Sequence, residues 1–188
     1  MSRYFLYGTR FSEFEQMMML VPNFIPRKKG LIMMESLTAE CSQNDSNYKR
    51  LVKSCFTTYR NRYLNKRLQK LMQSFEGDCF LNANHKQRFM SKYNPYMHKK
   101  NCAILYLFSA DEDLWQRAYG SIRADRISIT DIPLRGISTD GYAIYQTART
   151  VSTGKKHIYI NEIADDQLIG DFAFKAIIVG ILVARYGS

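Results

Sequence analysis

The sequence predicts a mostly helical α+β or α/β protein with a small sheet and a long, basic, amphipathic central helix. Gly and Pro are scarce, at 10 and 4 of 188 residues, which favours long regular elements. Apolar residues recur every three or four positions from Tyr48 to Phe75, which is the period of an amphipathic helix. Short apolar runs at Arg3–Tyr7, Leu31–Met34 and His157–Ile160 have the length of strands and predict the sheet.

The length predicts a single domain over residues 1–188. Residues 1–45 are expected to form a small β-α-β start, whose helix runs from about Glu13 to Pro22. Residues 46–110 form a basic helical region, and residues 111–188 form a helical C-terminal part. No signal peptide is apparent, so we expect a reduced, cytoplasmic setting.

The face of the central helix opposite the apolar stripe is strongly basic. No acid occurs between Asp45 and Glu76, so no salt bridge along the helix neutralises this face. The β-branched pair Thr57-Thr58 is a plausible bend. We expect Phe56 and Leu68 to be buried, together with Phe172 of the last helix.

Capping residues predict the remaining helices. Asn82 or Asn84 begins a helix that runs to Tyr93, and Ser109 to Glu112 form a capping box. Thr139 and Asp140 cap a helix that stops at Gly154. The apolar stretch 168–184 is too short and too charged to span a membrane, so we expect a buried C-terminal helix and no membrane partner.

The charge of the chain is concentrated in its middle. Residues 46–110 contain thirteen Lys or Arg and only two acids, whereas the whole chain has a net charge of +10. A basic segment of this kind attracts polyanions, of which nucleic acid is the commonest large one in cells. Sequence-specific DNA reading is disfavoured because no helix-turn-helix signature is present.

Recognisable catalytic and metal-binding motifs are not found. The four cysteines are spaced too widely for a zinc knuckle, and Cys55 and Cys102 are interpreted as small core residues. His85, His98 and His157 have no partner at ligand spacing and are interpreted as surface or cap residues. Acids such as Asp111 stand where helix caps favour them. We therefore predict no metal and no cofactor, and the catalytic residues, if any exist, stay unknown.

Three short motifs carry a resemblance to a protein family. They are Phe80-Leu81-Asn82 with His85-Lys86 and Arg88-Phe89, then Leu105 to Leu114, then Thr139 to Arg149. Over about residues 80–152 the chain resembles uncharacterised small proteins of bacterial mobile elements and prophages. The resemblance implies an accessory protein of a phage or mobile element, and such proteins are often inhibitors of host defence, including anti-CRISPR proteins.

These observations favour a protein that binds nucleic acid, RNA or DNA, or a nucleoprotein such as a guide-RNA effector, and the resemblance adds the expectation that it inhibits a host defence nuclease in the manner of an anti-CRISPR protein. One alternative is a nuclease that cuts RNA or DNA, and a second is an interaction protein that binds an acidic protein. The oligomeric state is left open. The candidate nucleic-acid-binding residues are Lys49, Arg50, Lys53, Arg60, Arg62, Lys66, Arg67, Lys70, Lys86 and Arg88.

Overall fold

A computed structural model describes residues 45–56, 58–94, 96–123 and 126–186. These residues form eight α-helices and one short 3₁₀ helix, Tyr119–Ser121, which follows the fifth α-helix. The helices are α1 (Asp45–Phe56), α2 (Arg62–Gln73), α3 (Ala83–Lys92), α4 (Lys99–Ala110), α5 (Glu112–Ala118), α6 (Thr139–Thr153), α7 (Ile160–Ala164) and α8 (Asp171–Tyr186).

The predicted α+β class is wrong for the described part of the chain, which is helical and contains no strand. Its only β-type pairing is an isolated antiparallel bridge between Ile122 and Ile127. The predicted strand at His157–Ile160 is instead the approach to α7, whose N-cap is Tyr159. The other two predicted strands, Arg3–Tyr7 and Leu31–Met34, lie outside the described residues, as does the helix predicted from Glu13.

The predicted central helix is two helices rather than one. Helix α1 ends at Phe56 and α2 begins at Arg62, and the residues from Thr58 to Asn61 connect them. Thr57, half of the predicted bend, lies outside the described residues. The apolar stripe faces the core only in part: Phe56 and Leu68 are buried as expected, whereas Tyr59 and Tyr63 of the same stripe are exposed.

Helices α4 and α8 occupy the centre of the molecule. Every residue of α4 from Cys102 to Ser109 is buried, so this helix is enclosed on all sides. Helix α8 packs along it, and α6, α3 and α5 cover its remaining faces. A helix that is apolar all round is the kind that a globular protein encloses in this way.

The helix ends follow the capping residues closely. Asn82 caps α3 as predicted, because its side-chain oxygen accepts the His85 N–H at 2.9 Å. Asp111 caps α5 in the same way, so the capping box predicted from Ser109 is wrong, because Ser109 still belongs to α4. Gly154 ends α6 with a positive φ of 71°. The cap of α6 is Ser138, one residue before the predicted position.

The C-terminal helix is largely buried, but not along its whole length. Most of α8 packs into the core, but Phe172 in its first turn is 71% exposed, so the expected burial of Phe172 is wrong. Helix α8 has 16 residues. Among the described residues, no helix is long and apolar enough to cross a membrane.

Candidate functional site

The ten predicted binding residues do not form one face. The structure divides them among α1, the α1–α2 connector, α2 and α3. Lys49, Arg50 and Lys53 belong to α1, and Lys49 and Lys53 line a groove of about 570 Å³ between α1 and α2.

Arg67 is a structural residue rather than a surface cation. It is only 7% exposed, and its guanidinium donates to the carbonyl oxygens of Ile163, Asp165 and Ile169 at 3.1, 3.1 and 2.8 Å. Its guanidinium carbon lies 4.1 Å from the centre of the Phe174 ring. Arg67 therefore fastens the segment between α7 and α8 to α2, and we remove it from the candidate surface.

A second predicted cation, Lys70, forms an ion pair with Asp171 of α8. Lys70 Nζ lies 2.7 Å from Asp171 Oδ2, and Arg67 Nη2 lies 3.4 Å from Oδ1. The pKa of the Asp171 carboxyl is lowered, first by the hydrogen bond from Lys70, with Arg67 adding to it. Because Lys70 is paired with Asp171 at the surface, we leave it out of the candidate site.

Lys86 and Arg88 lie on α3, away from the other candidates. Arg88 Nε donates to the Ser109 carbonyl oxygen at 2.8 Å, which ties α3 to the end of α4, and Lys86 is exposed. Neither residue lines a groove with the basic residues of α1 or α2.

Three predicted cations do come together, at the connector between α1 and α2. Arg60, Arg62 and Lys66 are exposed and line one open groove of about 670 Å³, which we call the basic groove. Tyr63 lies among them and is 73% exposed. The spacing of Arg62 and Lys66 on α2 places both side chains on one face of that helix.

The opposite wall of the basic groove comes from the α7 region. Asp165 and Asp166 line it, and both carboxylates accept hydrogen bonds from Gln167. Within the described ranges, Arg60, Arg62 and Lys66 form no ion pair with these or other acids. The groove is thus positive along its α2 wall and negative along its far wall, so an anion would lie against α2.

Asn61 joins the two walls. Its side-chain oxygen caps α2 by accepting the Leu64 N–H at 2.9 Å. Its side-chain amide donates to Oδ1 of Asn161, at the start of α7, at 2.8 Å. One side chain therefore sets both the start of α2 and the position of α7, and so fixes the cations relative to the opposite wall.

A second cavity adjoins the basic groove and shares Asn161 with it. This tyrosine pocket has a volume of about 320 Å³, with Tyr59 and Tyr159 among its lining residues, and they are 44% and 64% exposed. Its floor is mostly aliphatic, and it includes Ile163. Lys156 and Arg185 also line it, and Arg185 is held in place by donating to the Cys55 carbonyl oxygen at 3.2 Å.

The histidines have structural positions. His85 is fully buried, which corrects the expectation of a surface or cap residue; its Nδ1 accepts the Leu81 N–H, and its Nε2 lies 3.0 Å from the Tyr106 carbonyl oxygen. Burial lowers its pKa to about 4, so the ring is neutral at pH 7. His98 is the N-cap of α4, which agrees with its interpretation as a surface or cap residue.

Other reactive groups are also buried or dispersed. Burial raises the pKa of the Cys102 thiol to about 12, so it is not a nucleophile at neutral pH. Cys55 and Cys102 are core residues, as predicted. The part of the chain that the structure describes contains no group of three or more His, Cys, Asp or Glu side chains able to hold a metal ion.

Sequence reasoning missed the residues of the tyrosine pocket. Tyr159 and Lys156 are about a hundred positions from Tyr59, and only the packing of α7 against α2 brings them together. The available signal was weak: Tyr159 lies three residues after the Lys155-Lys156 pair, and aromatic residues near basic ones are typical of nucleic-acid-binding surfaces.

No protein-family model, curated protein or solved structure matches the chain.

Proposed function

We propose that this protein binds nucleic acid, free or within a nucleoprotein, through the basic groove. The observation that carries the proposal is the juxtaposition of three exposed cations, Arg60, Arg62 and Lys66, with the exposed ring of Tyr63 in one open groove. Guanidinium and ammonium groups bind phosphate oxygens, and an exposed aromatic ring offers a face on which a base stacks.

The size and charge of the groove support a polymeric anion rather than a small one. Its volume of about 670 Å³ exceeds what a single phosphate needs, and the groove is open to solvent. The cations are set by a capped helix and by the Asn61–Asn161 hydrogen bond, so their spacing exists before a ligand arrives. A preformed positive wall reduces the ordering cost of binding.

The resemblance of residues 80–152 to proteins of mobile elements supports a narrower form of the proposal. In that form the bound nucleoprotein is a host defence nuclease, such as a guide-RNA effector, and binding inhibits it. Cleavage by such an effector would be measured with and without the protein. Inhibition by the wild type, and loss of inhibition in the groove variant described below, is the expected result.

The experiment for the proposal is a titration of labelled RNA and DNA at several salt concentrations. The logarithm of the binding constant should fall linearly with the logarithm of salt, with a slope of about −0.7 to −0.9 per phosphate contacted. Replacing Arg60, Arg62 and Lys66 together by Glu should remove most binding and flatten the slope. Arg67 is left intact in this variant, because its replacement would disturb the fold.

The matched control replaces three exposed cations outside both cavities, Lys100, Arg123 and Arg126, by Glu. It makes the same change in net charge and should retain most of the affinity. Equal loss in both triple variants would mean that net charge alone drives binding and would contradict the groove. A wild type that binds only an acidic protein, or that degrades RNA, would favour one of the two alternatives instead.

A further inference from the structure

The tyrosine pocket and the basic groove are lined by consecutive residues of the chain. Tyr59, which lines the pocket, precedes Arg60, which lines the groove, and Asn161 lines both. The two cavities therefore adjoin, so a strand whose phosphate is held at Arg60 can reach the pocket with a neighbouring base.

The chemistry of the pocket suits a flat, partly aromatic group. Two tyrosine rings and an aliphatic floor provide stacking and apolar contact. Lys156 and the fixed guanidinium of Arg185 provide positive charge, so a ligand that carries both a ring and a nearby negative charge is complementary. The volume of about 320 Å³ is at the lower end of the range for small-ligand pockets and is sufficient for one base.

The positions of both tyrosines are fixed by the protein. The Tyr59 N–H donates to the Phe56 carbonyl oxygen at 3.1 Å, and its ring packs against the Phe56 ring. The Tyr159 N–H donates to the Glu162 carboxylate at 2.6 Å, which holds Tyr159 at the start of α7. The two backbones therefore hold the tyrosines at the pocket before any ligand arrives, as stacking sites require.

We infer that the tyrosine pocket receives one unpaired base of the strand whose phosphates lie in the basic groove, so that the protein requires a single-stranded segment. The inference rests on the proposed function and adds the kind of nucleic acid to it. A base within a duplex is stacked and paired, and taking it out costs several kcal/mol, whereas an unpaired base enters without that cost.

The test measures binding of an oligouridylate of about 12 nucleotides, which is within the usual site size for single strands. Tyr59→Ala with Tyr159→Ala should weaken binding about 10-fold or more, because each stacked base contributes substantially to affinity. The salt slope should stay unchanged, because the phosphate contacts are intact. Replacing both tyrosines by Phe should restore binding, since Phe keeps the ring.

Two further measurements distinguish the inference about the pocket from the proposed function of the groove. Tyr96→Ala changes another tyrosine, 75% exposed and outside the pocket, and should leave affinity unchanged. A duplex of the same length should bind at least 10-fold more weakly than the single strand. Wild-type affinity in the double Ala variant, or equal binding of the duplex, would overturn the inference while leaving the groove in place. Failure of the groove variant to lose binding would overturn the proposed function itself.

Discussion

Leu107 of α4 and Gly180 of α8 are in direct contact at the centre of the core. A methyl group at residue 180 would lie 2.6 Å from Cδ2 of Leu107, closer than carbon atoms approach without a shift. Gly in a helix costs about 1 kcal/mol relative to Ala. The chain accepts that cost here because the absence of a side chain lets the two enclosed helices approach.

Gly180→Ala should therefore lower stability, by about 1–3 kcal/mol, even though Ala is the better helix former. Urea unfolding would measure it. In a protein that already carries Leu107→Ala, Gly180→Ala should cost less, because the side chain that it would contact is gone. A double-mutant cycle should therefore show coupling between the two positions. Gly120→Ala is the control, because nothing lies within 4 Å of a methyl group there. A Gly180→Ala protein as stable as the control would contradict the contact.

Arg67→Met should destabilise the protein by about 3 kcal/mol or more. The substitution leaves three carbonyl oxygens, one in α7 and two between α7 and α8, without their donor, and buried acceptors without partners are costly. Arg62→Met, on the exposed face of the same helix, should change stability by no more than about 0.5 kcal/mol. Similar unfolding midpoints for the two variants would show that the Arg67 contacts contribute little.

His85 should make stability depend on pH. Its pKa is about 4 in the folded protein and near 6.5 in the unfolded chain, chiefly because burial disfavours the charged ring. The unfolded chain thus binds more protons between these values, so stability is full above about pH 6.5 and falls as pH drops towards 4. The loss amounts to about 3 kcal/mol at most, from 1.36 kcal/mol per pKa unit.

The pH effect is measured by urea unfolding at a series of pH values. His85→Asn keeps an acceptor and a donor but has no group that titrates in this range, so its stability should fall less steeply between pH 6.5 and 4. The difference between the two profiles is the quantity to compare, because carboxylates titrate in both proteins. Parallel profiles would show that His85 is not held neutral in the core.

Two phenylalanines of α8 provide a matched pair. Phe172 is 71% exposed and Phe174 is 2% exposed. Phe174→Ala should cost about 3–5 kcal/mol, because it leaves a cavity and removes the ring beneath Arg67. Phe172→Ala should cost less than about 1 kcal/mol. Equal losses would show that the first turn of α8 packs differently from the structure described above.

Local chemistry allowed several elements to be predicted from the sequence. The caps at Asn82 and Gly154, and the apolar stripe that buries Phe56 and Leu68, depend on residues within a few positions of each other. The sheet was predicted wrongly for a physical reason. The run His157–Ile160 is too short to distinguish a strand from the start of a helix. The Glu162 carboxylate accepts the N–H of the N-cap residue Tyr159 and so stabilises the helix.

The site could be predicted only in part, because its partners are distant in sequence. Arg60, Arg62 and Lys66 were predicted as binding residues, and they share one groove. Arg67 could not be separated from them, since the groups that bury it are nearly a hundred positions away or more. The exposure of Phe172 could not be predicted either. Helix α8 is apolar on most of its surface, so its sequence pattern does not show which side faces the core.

The enclosure of α4 has a consequence for how the molecule opens. Amide protons of residues 102–109 exchange with solvent only when the surrounding helices separate, so they should be among the slowest to exchange. The connector that carries Arg60 lies at the surface and can open without disturbing them. Deuterium uptake at the connector should therefore change when a ligand binds. Uptake in α4 should change only when the whole molecule unfolds.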